Sequence, residues 1–270
     1  MTALESCPWL SVFVLASCAG TPSGPAPTDQ LEPNSSRIES AAPQGQRAWP
    51  RPVHDDQWFS FVRAEQLEYR SQPGADLLRW EAQGWYGGDY TRLWLKTEGE
   101  LSVDGPSDGE IEVQALLSRL IAPFWDVQVG ARYDRRWASG TGAGRWFGVV
   151  GLQGLSPYEF EVEPALFVSE DGDLSARLTA TTDFLITQRL ILQPRFETEI
   201  AFSSVPEFGV GEGVNYTDLG LRLRYEVRRE VAPYIGINWI RWLGKTGRLV
   251  RSAGNKRNEL AIVFGLRFWF

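Results

Sequence analysis

The residues best suited to binding chemistry are one imidazole and a small number of carboxylates. His54 is the only His in the chain, and Asp55 and Asp56 follow it directly. An imidazole with adjacent carboxylates can bind a transition-metal ion, because both groups are common ligands of such ions. The cluster has no second nitrogen ligand, so it fits a weak metal site and equally a solvated cluster of charges.

Further carboxylates recur at alternate positions, the spacing that places side chains on one face of a β-strand. Glu159, Glu161 and Glu163 form one such row, and Glu98 forms another with Glu100. Arginines recur on comparable faces, at Arg79, Arg92, Arg132, Arg195, Arg222 and Arg224. Rings of carboxylates attract cations, so one interpretation is a cation route. Because Arg is nearly as frequent as Glu on these faces, the other is a network of bracing ion pairs.

The elements that position these residues are predicted by a period of two, clearest at the end of the chain. Leu260, Ile262, Phe264, Leu266, Phe268 and Phe270 form an unbroken apolar row, while the odd positions between them are mixed. Such alternation predicts a strand with one apolar face. The stretch is as long as a tilted membrane-spanning strand, which needs about ten residues. It ends on Phe270, which resembles the sorting signal of bacterial outer-membrane barrels.

Similar alternation predicts eleven earlier strands, and therefore an all-β fold over residues 58–270. The strands lie near 58–70, 78–86, 91–98, 111–118, 125–134, 146–152, 159–168, 174–183, 190–200, 218–227 and 235–239. Short connections alternate with longer ones at 135–144, 203–216 and 244–257. Long strands, terminal aromatics and charged rows of both signs favour a twelve-stranded antiparallel transmembrane β-barrel with a polar lumen. Pro164 and Pro194 fall within strands, so we expect a later strand start or a bulge at each.

The amino-terminal residues predict export. Residues 1–19 resemble a signal peptide, with a short apolar stretch followed by small residues. Cys18 ends a Leu-Ala-Ser-Cys sequence that resembles a lipobox, but Ser17-Cys18-Ala19 also fits ordinary cleavage. Residues 20–57 are rich in Pro and Ser and poor in apolar side chains. We expect them to form a disordered periplasmic segment.

Composition argues against two functional classes. The net charge of −7 does not favour nucleic-acid binding, which usually needs a basic surface. Hydrolytic machinery of the Ser-His type needs a His as base, and the only one precedes the first strand. We therefore predict that the chain is not an enzyme and does not bind nucleic acid.

Several segments resemble the copper resistance protein B family, collinearly and over nearly all of residues 54–270. They are FSFVRAEQLEYR, AQGWYGGDYTRLWLKTEGE, EVQALLSRLIAPFWDVQVGARYD, FEVEPALFVSEDGDLSARL, TQRLILQPRFE and LGLRLRYEVRREVAPYIGINW. The resemblance implies a barrel in the cell outer membrane, embedded in its lipid. It also implies copper-ion binding, a role in copper tolerance and a periplasmic copper-handling partner.

The chain departs from this family at its amino-terminal segment, where the usual Met- and His-rich ligands are missing. Only His54, Asp55 and Asp56 resemble the family's His-Asp sequence before the first strand. With imidazole and carboxylate as the remaining ligands, we expect Cu(II) to be preferred to Cu(I). A passive outer-membrane pore that has lost the metal role is the alternative.

Overall fold

A computed structural model describes residues 57–104, 108–138 and 141–270, with the side chain of residue 141 excluded. The amino-terminal predictions, including His54, Asp55 and Asp56, lie outside these described residues. The strands are β1 (Phe59–Ser71), β2 (Leu77–Gly87), β3 (Thr91–Ser102), β4 (Gly109–Ala122), β5 (Trp125–Ala138), β6 (Thr141–Ser156), β7 (Phe160–Ser169), β8 (Leu174–Thr181), β9 (Phe184–Leu185), β10 (Leu190–Ala201), β11 (Gly213–Tyr225), β12 (Val231–Trp242) and β13 (Asn258–Trp269).

The strands pair antiparallel with their sequence neighbours and close into a barrel. β13 pairs with β1, for example Arg70 with Val263, and thereby joins the two ends of the sheet. The two-residue β9 and the longer β8 both pair with β10, so they are two pieces of one barrel strand. The result is a closed barrel of twelve antiparallel strands, which confirms the predicted fold.

Alternate side chains divide between the lumen and the outer surface as the period of two predicts. On β13, Leu260, Ile262 and Phe264 are 57%, 51% and 50% exposed, whereas Ala261 and Val263 are buried. The other strands follow the same pattern, so the barrel carries an apolar outer surface. This arrangement suits lipid, because water would leave such a surface unfavourably exposed.

A β-bulge on β1 explains why its sequence alternates imperfectly. The register with β2 shifts between Ala64 and Gln66. A bulge inserts one extra residue and so changes which side chains face inward beyond it. Arg63 faces the lumen before the bulge, and Glu68 does so after it.

Pro164 and Pro194 lie inside strands at gaps in the hydrogen-bonded ladders. Pro164 remains in register with Leu178 of β8, but the ladder between β6 and β7 is interrupted beside it. Pro194 keeps its register with Leu221 of β11, and the break between β8 and β9 lies opposite it. Proline has no N–H to donate, so a gap in the ladder on one side of the strand is enough to accommodate it without a bulge. The expectation of a later strand start or a bulge at each Pro was therefore wrong.

The two ends of the barrel have different connections. One end holds both described termini and only short turns, and we call it the termini end. The other holds the loops 202–212 and 243–257, and we call it the loop end. Helix α1 (Gly244–Ser252) forms within the second loop, where the sequence predicted only a connection. The expected loop at 135–144 is largely strand, since β5 continues to Ala138 and β6 starts at Thr141.

Among the residues that the structure describes, no helix has the length and apolar composition needed to cross a membrane.

Candidate functional site in the barrel lumen

Charged side chains from nearly every strand meet in the lumen as ion pairs. The largest group is linked through successive contacts of 4 Å or less and consists of Arg222, Glu68, Arg70, Glu100, Arg79, Glu98, Arg177, Glu199, Glu112, Arg132 and Asp134. Each carboxylate in it contacts at least one guanidinium. The lumen therefore contains the bracing network that the mixed Glu and Arg rows suggested.

Several pairs cross the lumen rather than joining neighbouring strands. Arg63 on β1 lies 3.3 Å from Glu161 on β7, and these strands lie on opposite sides of the barrel. Arg177 on β8 reaches across to Glu112 on β4, with an Nη2–Oε2 distance of 2.9 Å. Because each such pair spans the interior, it fixes the distance between two opposing walls.

Glu68 is the most enclosed carboxylate of the network, with a fully buried side chain. Arg222 donates to it from Nε at 3.1 Å and from Nη2 at 3.0 Å, while Arg70 Nε donates at 2.7 Å. The Tyr234 hydroxyl donates a further hydrogen bond at 3.0 Å. A buried carboxylate is tolerated only with such complete pairing. Sequence analysis missed Glu68, because the β1 bulge obscured which face it occupies.

One wall of the lumen carries an apolar cluster. Trp94, Leu116, Val149 and Phe167 are all buried and pack together. The Arg132 guanidinium lies 4.6 Å from the centre of the Phe167 ring, and that of Arg177 lies 5.4 Å from it. Cations favour the faces of aromatic rings. The wall therefore supports the guanidinium of Arg132 and that of Arg177, which crosses the interior.

The space left between these groups is a cavity of about 1070 Å³, including its open mouth. Seven carboxylates and four cations line it. They are Glu65, Glu81, Glu98, Glu112, Glu161, Glu163 and Glu197, with Arg63, Lys96, Arg177 and Arg195. The lining thus carries an excess of negative charge.

The cavity continues toward the termini end. A second space of about 770 Å³ shares Arg63, Gln83 and Glu161 with the first. Its other walls include Phe124 and Asp126, which lie at or beside the short turn between β4 and β5. The acidic cavity is therefore reached from the end of the barrel that holds both described termini.

At the loop end, the 202–212 loop is held by contacts with neighbouring strands and turns. Phe208, in the 202–212 loop, accepts a hydrogen bond at its carbonyl from Arg136 at 2.9 Å. The Phe208 ring lies 4.9 Å from the Arg145 guanidinium. Asp173 accepts a 2.7 Å hydrogen bond from the Ser203 hydroxyl. This bond and the nearby Arg145 hold the pKa of Asp173 below its usual range.

Three of the four predicted lumen carboxylates lie at this cavity. Glu98 contacts Arg79 at 3.5 Å, and Glu163 accepts a 2.8 Å hydrogen bond from Lys96. Glu161 pairs with Arg63, as described above.

Glu159 does not join them, and its predicted position was wrong. It lies in the turn Pro157–Glu159 with a φ of 61°, and its side chain is exposed. Strand β7 starts only after it, so the alternation of side chains does not extend back to this residue.

No group of three or more His, Cys, Asp or Glu side chains suited to holding a metal ion occurs in the described part of the chain. The carboxylates of the cavity are instead paired with cations. These residues therefore do not fit a resident, tightly bound metal ion.

A closed twelve-stranded barrel with an apolar exterior and a charged lumen is an outer-membrane β-barrel, and this protein resides in the outer membrane. The family model of "Copper resistance protein B precursor (CopB)" matches residues 58–270, and the chain belongs to that family.

Two curated relatives agree with this assignment, and one solved structure resembles the chain in fold. The chain is 40% identical over 218 residues to copper resistance protein B of Escherichia coli, covering 81% of this chain and 72% of the relative. It is 38% identical, with the same coverage, to a copper resistance protein B homolog of Pseudomonas syringae pv. tomato. A NanC porin structure has 16% identity and a TM-score of 0.50, covering 78% of this chain and 99% of the porin. The last likeness shows the fold alone.

Proposed function

We propose that this barrel contributes to copper tolerance by admitting copper ions to its lumen and passing them across the outer membrane. The observation that carries the proposal is the cavity with seven carboxylates against four cations, reached from the termini end. An excess of carboxylates raises the local concentration of cations. Copper enters this proposal as cargo, because the described residues do not fit a resident metal ion.

Cu(II) is the oxidation state that this lumen would favour. Its lining offers carboxylate and amide oxygens, and neither Met1 nor His54 lies in the described residues. Oxygen ligands do not select Cu(I), which prefers thiolate and thioether sulfur. His54, Asp55 and Asp56 would supply the remaining candidate binding site, just before β1.

A periplasmic copper-handling protein is the partner that family membership suggests. In outer-membrane barrels the short turns lie on the periplasmic side, which would place the termini end and its cavity mouth there. We further propose that the role is non-enzymatic, in keeping with the family and the barrel fold.

A passive pore is the second candidate, and a specific observation favours it. Each of the three predicted carboxylates that lie at the cavity is already engaged by a cation, as Glu163 is by Lys96. In this case the charges would maintain the shape of the barrel, and copper would have no preferred route.

Cu(II) flux into proteoliposomes separates the two candidates. Glu161→Gln removes one carboxylate from the cavity, so we expect Cu(II) entry to fall severalfold and chloride permeation to be retained. Glu159→Gln is the matched control, because its side chain is exposed in the adjacent turn and should leave both fluxes unchanged. Equal Cu(II) flux through the two variants would reject the cation route and favour the passive pore.

Equilibrium dialysis of the exported protein tests whether it binds copper ions. His54→Ala should weaken the tightest Cu(II) binding, and binding should also weaken as the pH falls through about 6.5, the ordinary His range. Tight Cu(I) binding, or Cu(II) binding unaffected by His54→Ala, would contradict the proposed ligands.

A further inference from the structure

The loop between β12 and β13 is strongly basic in a chain whose net charge is −7. Residues 243–257 contain Lys245, Arg248, Arg251, Lys256 and Arg257 and no Asp or Glu. This concentration of charge contrasts with the acidic lumen, and the ion pairs of the lumen do not involve it.

Helix α1 fixes part of this charge on an exposed face. Lys245, Arg248 and Arg251 recur every third residue, so they lie along neighbouring positions of the helix surface. The opposite side is anchored to the barrel through Thr246, whose hydroxyl accepts from Gly211 N at 2.8 Å and donates to Asn215 Oδ1 at 2.7 Å. The helix is thus held with its cations directed away from the barrel rim.

Two of these cations have no ionic partner among the described residues. Lys245 pairs with Glu212, and Arg257 donates to the Gly247 carbonyl at 2.6 Å. Arg248, Arg251 and Lys256 are all exposed. Arg248 and Arg251 form no ion pair with any residue in the described ranges, whereas Lys256 interacts electrostatically with Glu259.

The outer face of β12 places this charge at the boundary of the apolar surface. Ile235 and Ile237 are about half exposed, Trp239 follows them, and the exposed Arg241 ends the row at the loop end. Aromatic side chains mark the two interfaces of a membrane barrel. An outward-facing cation just beyond the Trp therefore lies at the level of lipid headgroups.

Arg241 lies close to the basic loop in the barrel wall. It is paired with Asn258 across the ladder, and Trp242 N donates to the Arg257 carbonyl at 2.8 Å. Arg241, Arg248, Arg251 and Lys256 together form what we call the basic patch.

We propose that the basic patch binds the phosphate groups of a phosphorylated glycolipid in the outer leaflet. Long loops of outer-membrane barrels face the cell exterior, so the patch would meet that leaflet. The apolar row of β12 would contact the acyl chains while the cations contact the phosphates. Clusters of basic side chains beside an apolar membrane surface are suited to anionic headgroups.

Binding of a bisphosphorylated glycolipid to the folded protein in neutral detergent tests the proposal. The test variant carries Arg241→Gln, Arg248→Gln, Arg251→Gln and Lys256→Gln. The matched control replaces four exposed arginines toward the termini end by Gln, namely Arg119, Arg189, Arg228 and Arg229. Native mass spectrometry counts the bound lipid, and heat-modifiable migration on gels confirms that both variants are folded.

We expect the test variant to lose at least about tenfold in affinity, since each cation near a charged surface contributes to binding. The control should retain the parent affinity, and added salt should weaken binding to the parent protein. Equal losses of lipid affinity in the test and control variants would overturn the proposal, because binding would then depend on net charge alone. Equal binding of the dephosphorylated glycolipid would also overturn it, as would a patch-dependent dimer that forms without lipid.

Discussion

Replacing Arg177 with Ala should destabilise the barrel, because this side chain joins opposing walls of the lumen. Its guanidinium contacts Glu98, lies 2.9 Å from Glu112 and 3.4 Å from Glu199. It also lies 5.4 Å from the centre of the Phe167 ring. The side chain is only 14% exposed, so water cannot readily replace these contacts.

The expected loss of unfolding free energy depends on which cationic partners the carboxylates keep after the substitution. Removing one partner of a buried ion pair typically costs about 3–5 kcal/mol, because the other charge stays buried. Arg79 still lies 3.5 Å from Glu98, and Arg132 still lies 2.7 Å from Glu112. Since these two carboxylates keep a partner, we expect the lower end of that range, about 3 kcal/mol for Arg177→Ala.

The assay is unfolding by guanidinium chloride in lipid vesicles, followed by tryptophan fluorescence. Arg177→Lys keeps the charge but cannot reproduce the forked contacts, so it should lie between the parent and Arg177→Ala. Lys245→Ala is the control, because its pair with Glu212 is exposed and should contribute less than about 1 kcal/mol. A loss for Arg177→Ala no larger than that for Lys245→Ala would refute the bracing role.

Three further predictions concern assembly, pH and packing. Deleting Phe270 should leave protease-sensitive, unassembled chains in the periplasm; heat-modifiable barrels in the outer membrane would contradict this. The pKa of Asp173 is lowered by Ser203 and Arg145, so its contribution is complete above the ordinary Asp range and is lost as the pH falls through the lowered pKa. Proteolysis of the 202–212 loop should therefore accelerate only at acidic pH, and Asp173→Asn should remove that dependence. Gly130→Ala should lower the unfolding free energy by about 1–3 kcal/mol, since its Cβ would lie 2.0 Å from a backbone oxygen; an unchanged denaturation midpoint would refute it.

The barrel could be predicted from sequence because each strand must place alternate side chains in lipid. That requirement is local, and it is visible in rows such as Leu260, Ile262 and Phe264. The first residue of a strand could not be predicted where no apolar row marks it. Glu159, which precedes β7, is an example. Helix α1 was missed because Leu249 and Val250 are its only large apolar side chains, too few to produce a helical period.

The contacts of the lumen could not be predicted in the same way. Glu and Arg each recur on many strands, so the sequence does not show which carboxylate will pair with which guanidinium. Arg177 meets Glu98 and Glu112 from positions 79 and 65 residues away. Such pairs depend on barrel closure and strand tilt, which are global properties of the fold.

The junction of the last residue with the first strand has a consequence for how the barrel forms. Val62 N donates to the Phe270 carbonyl at 3.0 Å, and Phe270 N donates to the Val62 carbonyl at 2.9 Å. These bonds join residues about 200 positions apart, so forming them costs about 3–4 kcal/mol more loop-closure entropy than a hairpin turn. Until the chain is complete, β1 and β12 are open edges that could pair with other strands. Closure of this barrel therefore competes with mispairing of these open edges. Closure can occur only after the final strand has reached the site of folding.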